Sequence, residues 1–143
     1  MIQIIDSPDN QKDVNEVQIP NKEIASKRPF LDTPGLQTWN NALSKVTGLN
    51  ASTENCTGYT TGIYTDWRLP NAEERISLID YRKNNPALPS SHPFLDIMNK
   101  NCWYNYTFTG LTNEAWIVNL GRGDLGTGGK AGMSYVWSVR VGQ

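Results

Sequence analysis

Few side chains in this 143-residue sequence suit bond-breaking chemistry. Histidine occurs once, as His92, and cysteine twice, as Cys56 and Cys102. A zinc site needs about three or four N, S or O ligands held close together, and this spacing supplies none. His92 lies in Ser91-His92-Pro93-Phe94, a proline-stiffened loop with no Ser-His-Asp spacing around it. Neither cysteine belongs to a C-x-x-C pair or stands beside a histidine that would lower its pKa. Together Cys56 and Cys102 allow one disulfide or two free thiols. Asp66, Asp80, Asp96 and Glu114 carry the carboxylates weighed for calcium. Calcium takes about six to eight oxygens, usually from acidic residues at short spacing, and no such run occurs. The expectation is a protein without a catalytic residue, metal or cofactor, and not an enzyme.

Recognition chemistry is better represented. Residues 99–110 read Asn-Lys-Asn-Cys-Trp-Tyr-Asn-Tyr-Thr-Phe-Thr-Gly. Aromatic rings stack on apolar faces of sugars or proteins at low entropic cost, and asparagine adapts its hydrogen bonds. Trp103 is assigned to the core, whereas Tyr104, Asn105 and Tyr106 are candidate ligand contacts. Arg122 and Lys130, in a Gly-rich loop, complete the candidate set, because loops that follow strands commonly carry function. Arg122-Gly123-Asp124 also matches the integrin-binding tripeptide, but a tripeptide recurs by chance and its flanking glycines are ordinary turn chemistry.

These residues must be positioned by local elements. Thr38 to Leu49 predicts a helix: Thr38 caps it, Trp39, Ala42, Leu43 and Val46 share a face, and Gly48 suits its C-terminal end. Asn71 followed by Glu74 predicts a capping box for a second helix, with Ala72, Ile76 and Ile79 on one face and Leu78 beside it. Strands are expected at 115–120 and 134–141, with a Gly-rich loop over 121–132. In the second strand, Tyr135, Trp137, Val139 and Val141 alternate onto one face. Residues 1–36 read as an N-terminal arm with a short strand at 2–5 and loop thereafter, and 37–143 as the folded domain. Helices followed by strands, with no βαβ repeat, indicate an α+β fold.

Charge narrows the function. Thirteen Lys+Arg against 14 Asp+Glu give a net charge of -1. Nucleic-acid binding driven by counterion release is not expected from that balance. No apolar run approaches the ~18 residues of a membrane helix, so direct membrane insertion is not expected. No basic segment followed by an apolar one opens the chain, so an export signal is not expected within it.

One ordered series of motifs is distinctive. It runs Gln37-Thr38-Trp39 with Ala42-Leu43, then Asp66-Trp67-Arg68-Leu69-Pro70-Asn71 and Ser77-Leu78-Ile79-Asp80-Tyr81. It continues through Asn85-Pro86-Ala87-Leu88-Pro89, His92-Pro93-Phe94, Glu114-Ala115-Trp116-x-Val118 and Tyr135-Val136-Trp137-x-Val139-Arg140. In this order, the series resembles the C-terminal domain family of the Legionella collagen-like adhesin, over residues 36–143. The resemblance implies a C-type-lectin-like fold, related to the formylglycine-generating enzymes, with two helices on a small, mainly antiparallel sheet and long loops. It also implies an extracellular or cell-surface location. The expected function is non-enzymatic recognition of a glycan or protein ligand. The alternatives are an assembly module of a larger surface protein, with a homotrimer as its natural form, a retroelement-diversified ligand-binding protein, and last an enzyme related to formylglycine generation.

Within the motifs, Trp39, Trp67, Arg68, Leu69, Pro70, Trp116 and Trp137 read as structural, because aromatics at element junctions usually fill cores. Arg68 is expected to bond backbone carbonyls or Asp80. The sequence departs from the family at Arg75, where leucine is usual, and at Trp103-Tyr104-Asn105-Tyr106, where Trp-Ser-Ser-Thr is usual. The family's Thr-Gly-Leu-x-Trp strand motif is not found, and a net charge of -1 does not support the namesake's basic binding surface. The Glu-Pro-Asn and Trp-Asn-Asp signatures of calcium-dependent sugar-binding lectins are absent.

Overall fold

Thr38 starts the first helix as its side chain predicts: its hydroxyl accepts the Asn41 N–H at 3.3 Å. In the computed structural model, which describes residues 16–19, 23–26, 35–54, 64–92, 94, 97 and 99–141, this helix is α1 (Trp39–Asn50). Ala42 and Val46 are buried on the expected face, with Trp39 and Leu43 half-buried beside them. Gly48 does not end the helix, which runs to Asn50. The Thr53 and Glu54 N–H groups fold back to the Gly48 carbonyl, and a Cβ there would lie 2.5 Å from Glu54 Cγ. Glycine is needed for this close approach.

The second helix, α2 (Ala72–Ile76), opens with the full capping box. Asn71 Oδ1 accepts the Glu74 N–H at 2.8 Å, and Glu74 Oε2 accepts the Asn71 N–H at 2.8 Å. Its buried face differs from the predicted one. Ile76 is exposed, whereas Arg75 and Leu78 are buried. The helix is only five residues long, and i→i+3 bonds from Leu78 to Arg75 and from Ile79 to Ile76 follow it. That tighter winding rotates Leu78, not Ile76, inward.

Two sheets follow from the strand pairings among the described residues. The larger has five strands in the order β3 (Leu36–Gln37), β7 (Ser134–Tyr135), β4 (Asn101–Thr107), β5 (Glu114–Asn119) and β6 (Leu125–Gly129). Its pairs are antiparallel except β4 with β7, so the sheet is mixed. The smaller joins β1 (Glu16–Ile19), β2 (Glu23–Ser26) and β8 (Val139–Val141), all antiparallel. The Arg68–Val139 bridge ties the Trp67–Pro70 segment to β8.

Three departures from the sequence expectation have physical reasons. The β1–β2 hairpin falls where loop was expected, because β2 is held by main-chain pairing to β8 at the other end of the chain. The strand expected at 2–5 lies outside the described residues. The Gly-rich loop contains β6, where Gly126 and Gly128 face Ile117, and the Trp103 ring also packs against Gly128. Glycines bring no side chains to reveal a period of two. The continuous strand expected at 134–141 is split into β7 and β8, with Val136, Trp137 and Ser138 between them. The chain changes sheets there, and residues 136–140 are all buried.

The core lies on both faces of β4 and β5. Trp103 and Ala115 pack with Ala42, Val46, Leu49, Trp67, Leu69 and Val136. Cys102, Tyr104 and Val118 pack with Leu78, Leu88, Phe94, Leu120, Trp137 and Val139. The sheet is thus the middle layer of an α+β domain.

Candidate functional site

The segment expected to recognise ligand is divided by the alternation of β4. Trp103 enters the α1-side core as expected, and its Nε1 donates to the Gln37 carbonyl at 2.7 Å. Tyr104 points the opposite way and is 0% exposed. Its assignment as a surface contact is corrected: β4 is covered on both faces at this position, so alternation moves the ring from one core into another. Asn105 is half-buried, donates its N–H to the Pro70 carbonyl at 3.1 Å and leaves its buried Oδ1 without a partner. Tyr106 is 52% exposed, in the stretch where the β4–β5 register shifts. The four-residue run thus has both core and surface members.

Arg122 is exposed in the turn after β5. Its Nε donates to the Asp124 carboxylate, and Asn119 Oδ1 accepts the Gly121 and Arg122 N–H groups at 3.0 and 3.1 Å. Gly123 has φ +80°, and a Cβ there would lie 2.7 Å from Ile79 Cγ2. The tripeptide therefore has a conformational explanation, with its arginine and aspartate paired to one another. Lys130 places its Nζ 4.3 Å from the centroid of the Trp39 ring and donates to Thr107 Oγ1 at 2.7 Å.

The tryptophan motif residues support the frame. Trp39 Nε1 donates to the Tyr104 carbonyl at 2.8 Å. Trp67 exchanges two backbone hydrogen bonds, each of 2.8 Å, with the Asn50 carboxamide. Trp116 packs edge-on to Phe108, while Leu69, Pro70 and Trp137 are buried. Arg68 does bond a carbonyl, that of Leu69, at 3.4 Å, but its carboxylate partner is Glu74 and not Asp80. It grips both Glu74 oxygens at 2.9 and 2.6 Å. Asp80 is instead paired with Arg82, whose hydrogen bonds hold its carboxyl below the usual range. The capping box explains the exchange, since it turns the Glu74 carboxylate back toward the segment carrying Arg68.

Among the described residues, no three of His, Cys, Asp and Glu come together; Asp96 lies outside them. Cys102 is a buried free thiol, and Cys56 lies outside the described residues. Burial pushes the Cys102 thiol up to about 11, against a smaller opposing effect of Arg75. Raising the pKa from 9.0 to about 11 cuts the reactive thiolate by about 100-fold below both values. In a Cys56→Ser variant, native Cys102 is expected to react with a disulfide reagent at least ~100-fold more slowly than an exposed thiol. Denaturation should restore the full rate. Rapid reaction of the native variant would contradict the burial.

Two depressions flank the turn between β6 and β7. One, of about 410 Å³, is lined by Thr38, Asn40, Asn113, Gly129, Lys130 and Ala131. The other, of about 390 Å³, joins Asn99, Lys100, Asn101 and Asn119 to Leu36, Met133 and Tyr135. Leu36 and Met133 are exposed large apolar side chains at 41% and 58%. Asn119 Nδ2 donates to Asn101 Oδ1 at 2.8 Å, so these two amides are held in place across β4 and β5. Tyr135 lies over Gly35, where a Cβ would come within 2.4 Å of its ring. Of the candidate ligand residues, the structure puts Lys130 in the first depression. Arg122 meets the second through Asn119, whereas Tyr104 and Asn105 belong to neither lining. Asn119, Met133 and Tyr135 line the second depression although they are not among the residues the sequence offers as ligand contacts. The Asn99-Lys100-Asn101 run was their available signal, but their convergence depends on strand pairing.

The profile of the family described as Lcl C-terminal domain matches residues 9–140, a span that includes the β1–β2 hairpin. No curated protein matches the chain.

Proposed function

The chain belongs to the Lcl C-terminal domain family, and from that premise we propose that it is a non-enzymatic glycan-binding module of an extracellular or cell-surface protein. We assign it a C-type-lectin-like fold. Support for that fold comes from two helices packed with a small, mainly antiparallel sheet, long connections and the pairing of β2 with β8, which joins early and late parts of the chain.

The observation that carries the function is the lining of the depression at Tyr135. Asn99, Asn101 and Asn119 offer carboxamides, each able to donate and accept hydrogen bonds with sugar hydroxyls. Leu36, Met133 and Tyr135 offer apolar contact for a C–H face of a sugar ring. Among the described residues of the lining Lys100 is the one charged side chain, which suits a neutral glycan or one with an isolated acidic group. A densely sulfated polymer would call for a broader basic surface than this lining supplies.

A glycan array probed with the folded protein tests the reading. Selective binding is expected, with similar strength in calcium and in EDTA because no carboxylate among the described residues lines the depression. Met133→Ala and Asn99→Ala alter exposed side chains and should each weaken binding about tenfold, equivalent to about 1.4 kcal/mol. Failure to bind any glycan, or full binding by both variants, would refute the glycan assignment. The first result would direct the search to protein ligands by pull-down.

A further inference from the structure

Arg75 is a cation in the core with no carboxylate to itself. It is 1% exposed, and burial drives its guanidinium pKa down. The guanidinium carbon sits 4.0 Å from the centroid of the Trp137 ring, and Nη2 donates to the Trp137 carbonyl at 3.3 Å. Its Nε–H and Nη1–H groups meet no acceptor among the described residues. The carboxylate whose field reaches Arg75 is Glu74, but both Glu74 oxygens bind Arg68 and one also binds the Asn71 N–H. Cys102 is no counter-ion at neutral pH, because its thiol is pushed up to about 11. An interior charge left in this condition is costly, because its lost hydration is not replaced.

Other unpartnered donors share this interior. Tyr104 is 0% exposed, its hydroxyl has no partner, and its charge interaction with Arg75 is mutual. The Trp137 ring under the guanidinium is also 0% exposed, with Nε1–H unpartnered. Arg75 thus shares one core with two further buried donors that no acceptor among the described residues meets, one on the ring beneath its guanidinium and one within reach of its field. Buried polar groups in proteins are ordinarily satisfied by protein, water or ions.

We propose that Arg75, Tyr104 and Trp137 form an internal site for one small monovalent anion of halide chemistry. Such an ion supplies the acceptor that all three lack and neutralises the single guanidinium charge. The near-complete burial of all three side chains favours a monatomic ion over a sulfate or phosphate. Entry requires only local opening beside α2, a helix of five residues. This site is separate from the surface depression and does not depend on the glycan reading.

Thermal unfolding in sodium chloride and in sodium gluconate, at matched ionic strength, tests the site. Chloride should raise Tm by about 4 °C when its concentration is ten times its dissociation constant, and with the logarithm of concentration beyond that. Arg75→Leu replaces a buried ion with an apolar group of the type usual in the family, so it is expected to fold and to lose the chloride effect. Tyr104→Phe should reduce it. Anomalous diffraction from bromide-soaked crystals of the native chain should show an ion in contact with Arg75, whatever the variants do. Equal Tm in the two salts, an undiminished chloride effect in folded Arg75→Leu, or no bromide at Arg75 would overturn the proposal.

Discussion

Trp103→Ala should lower stability by about 3–5 kcal/mol, the range for truncating a buried tryptophan. Trp103 is 1% exposed and packs with α1 through Ala42, Val46 and Leu49. Its ring lies 3.6 Å from the position a Gly128 Cβ would occupy, so no side chain on β6 stands ready to fill the space. The same substitution removes the Nε1 donor and leaves the Gln37 carbonyl without that partner. A domain with ~5–15 kcal/mol of total stability can lose much of its margin through this change. Urea denaturation should show a large fall in midpoint with little change in slope. Trp103→Phe should recover part of the loss by restoring apolar volume without the hydrogen bond. A shift below about 1 kcal/mol for the alanine variant would contradict the central packing role assigned to this ring.

Glu74→Ala is expected to cost about 3 kcal/mol, because one carboxylate serves two structures. It is 6% exposed and accepts from Nη1 and Nη2 of Arg68, while its Oε2 closes the capping box on Asn71. Alanine would release a half-buried guanidinium and an orphan N–H at the start of a helix too short to sustain itself. Glu74→Gln should fall between alanine and wild type: its amide oxygen can still accept the Asn71 N–H, while the ionic pairing is lost. A double-mutant cycle with Arg68→Ala separates the contributions. If the cycle shows no coupling and Glu74→Ala costs only a few tenths of a kcal/mol, the ion pair is not a stabilising element.

Much of the frame was legible in neighbouring residues. Thr38 and the spacing of Ala42 and Val46 predicted α1, and Asn71 with Glu74 predicted the start of α2. These signals are local: a cap bonds within about three residues, and a helical face repeats about every 3.6. The tryptophan motifs were sufficient to identify the family, which the profile match over residues 9–140 shows. Tertiary structure alone decided where several of those residues face. β4 is covered on one side by α1 and on the other by Leu78, Leu88 and Phe94, so Tyr104 is core although its sequence neighbours suit a recognition surface. Arg75 belongs to the core because it lies on the buried face of α2, over the Trp137 ring, against the rule that charge stays in water. The lining that brings Asn99, Asn119 and Tyr135 together exists because β7 pairs parallel with β4 while β5 pairs with its other edge. Sequence patterns report what a residue prefers, whereas burial and convergence depend on which distant element covers it.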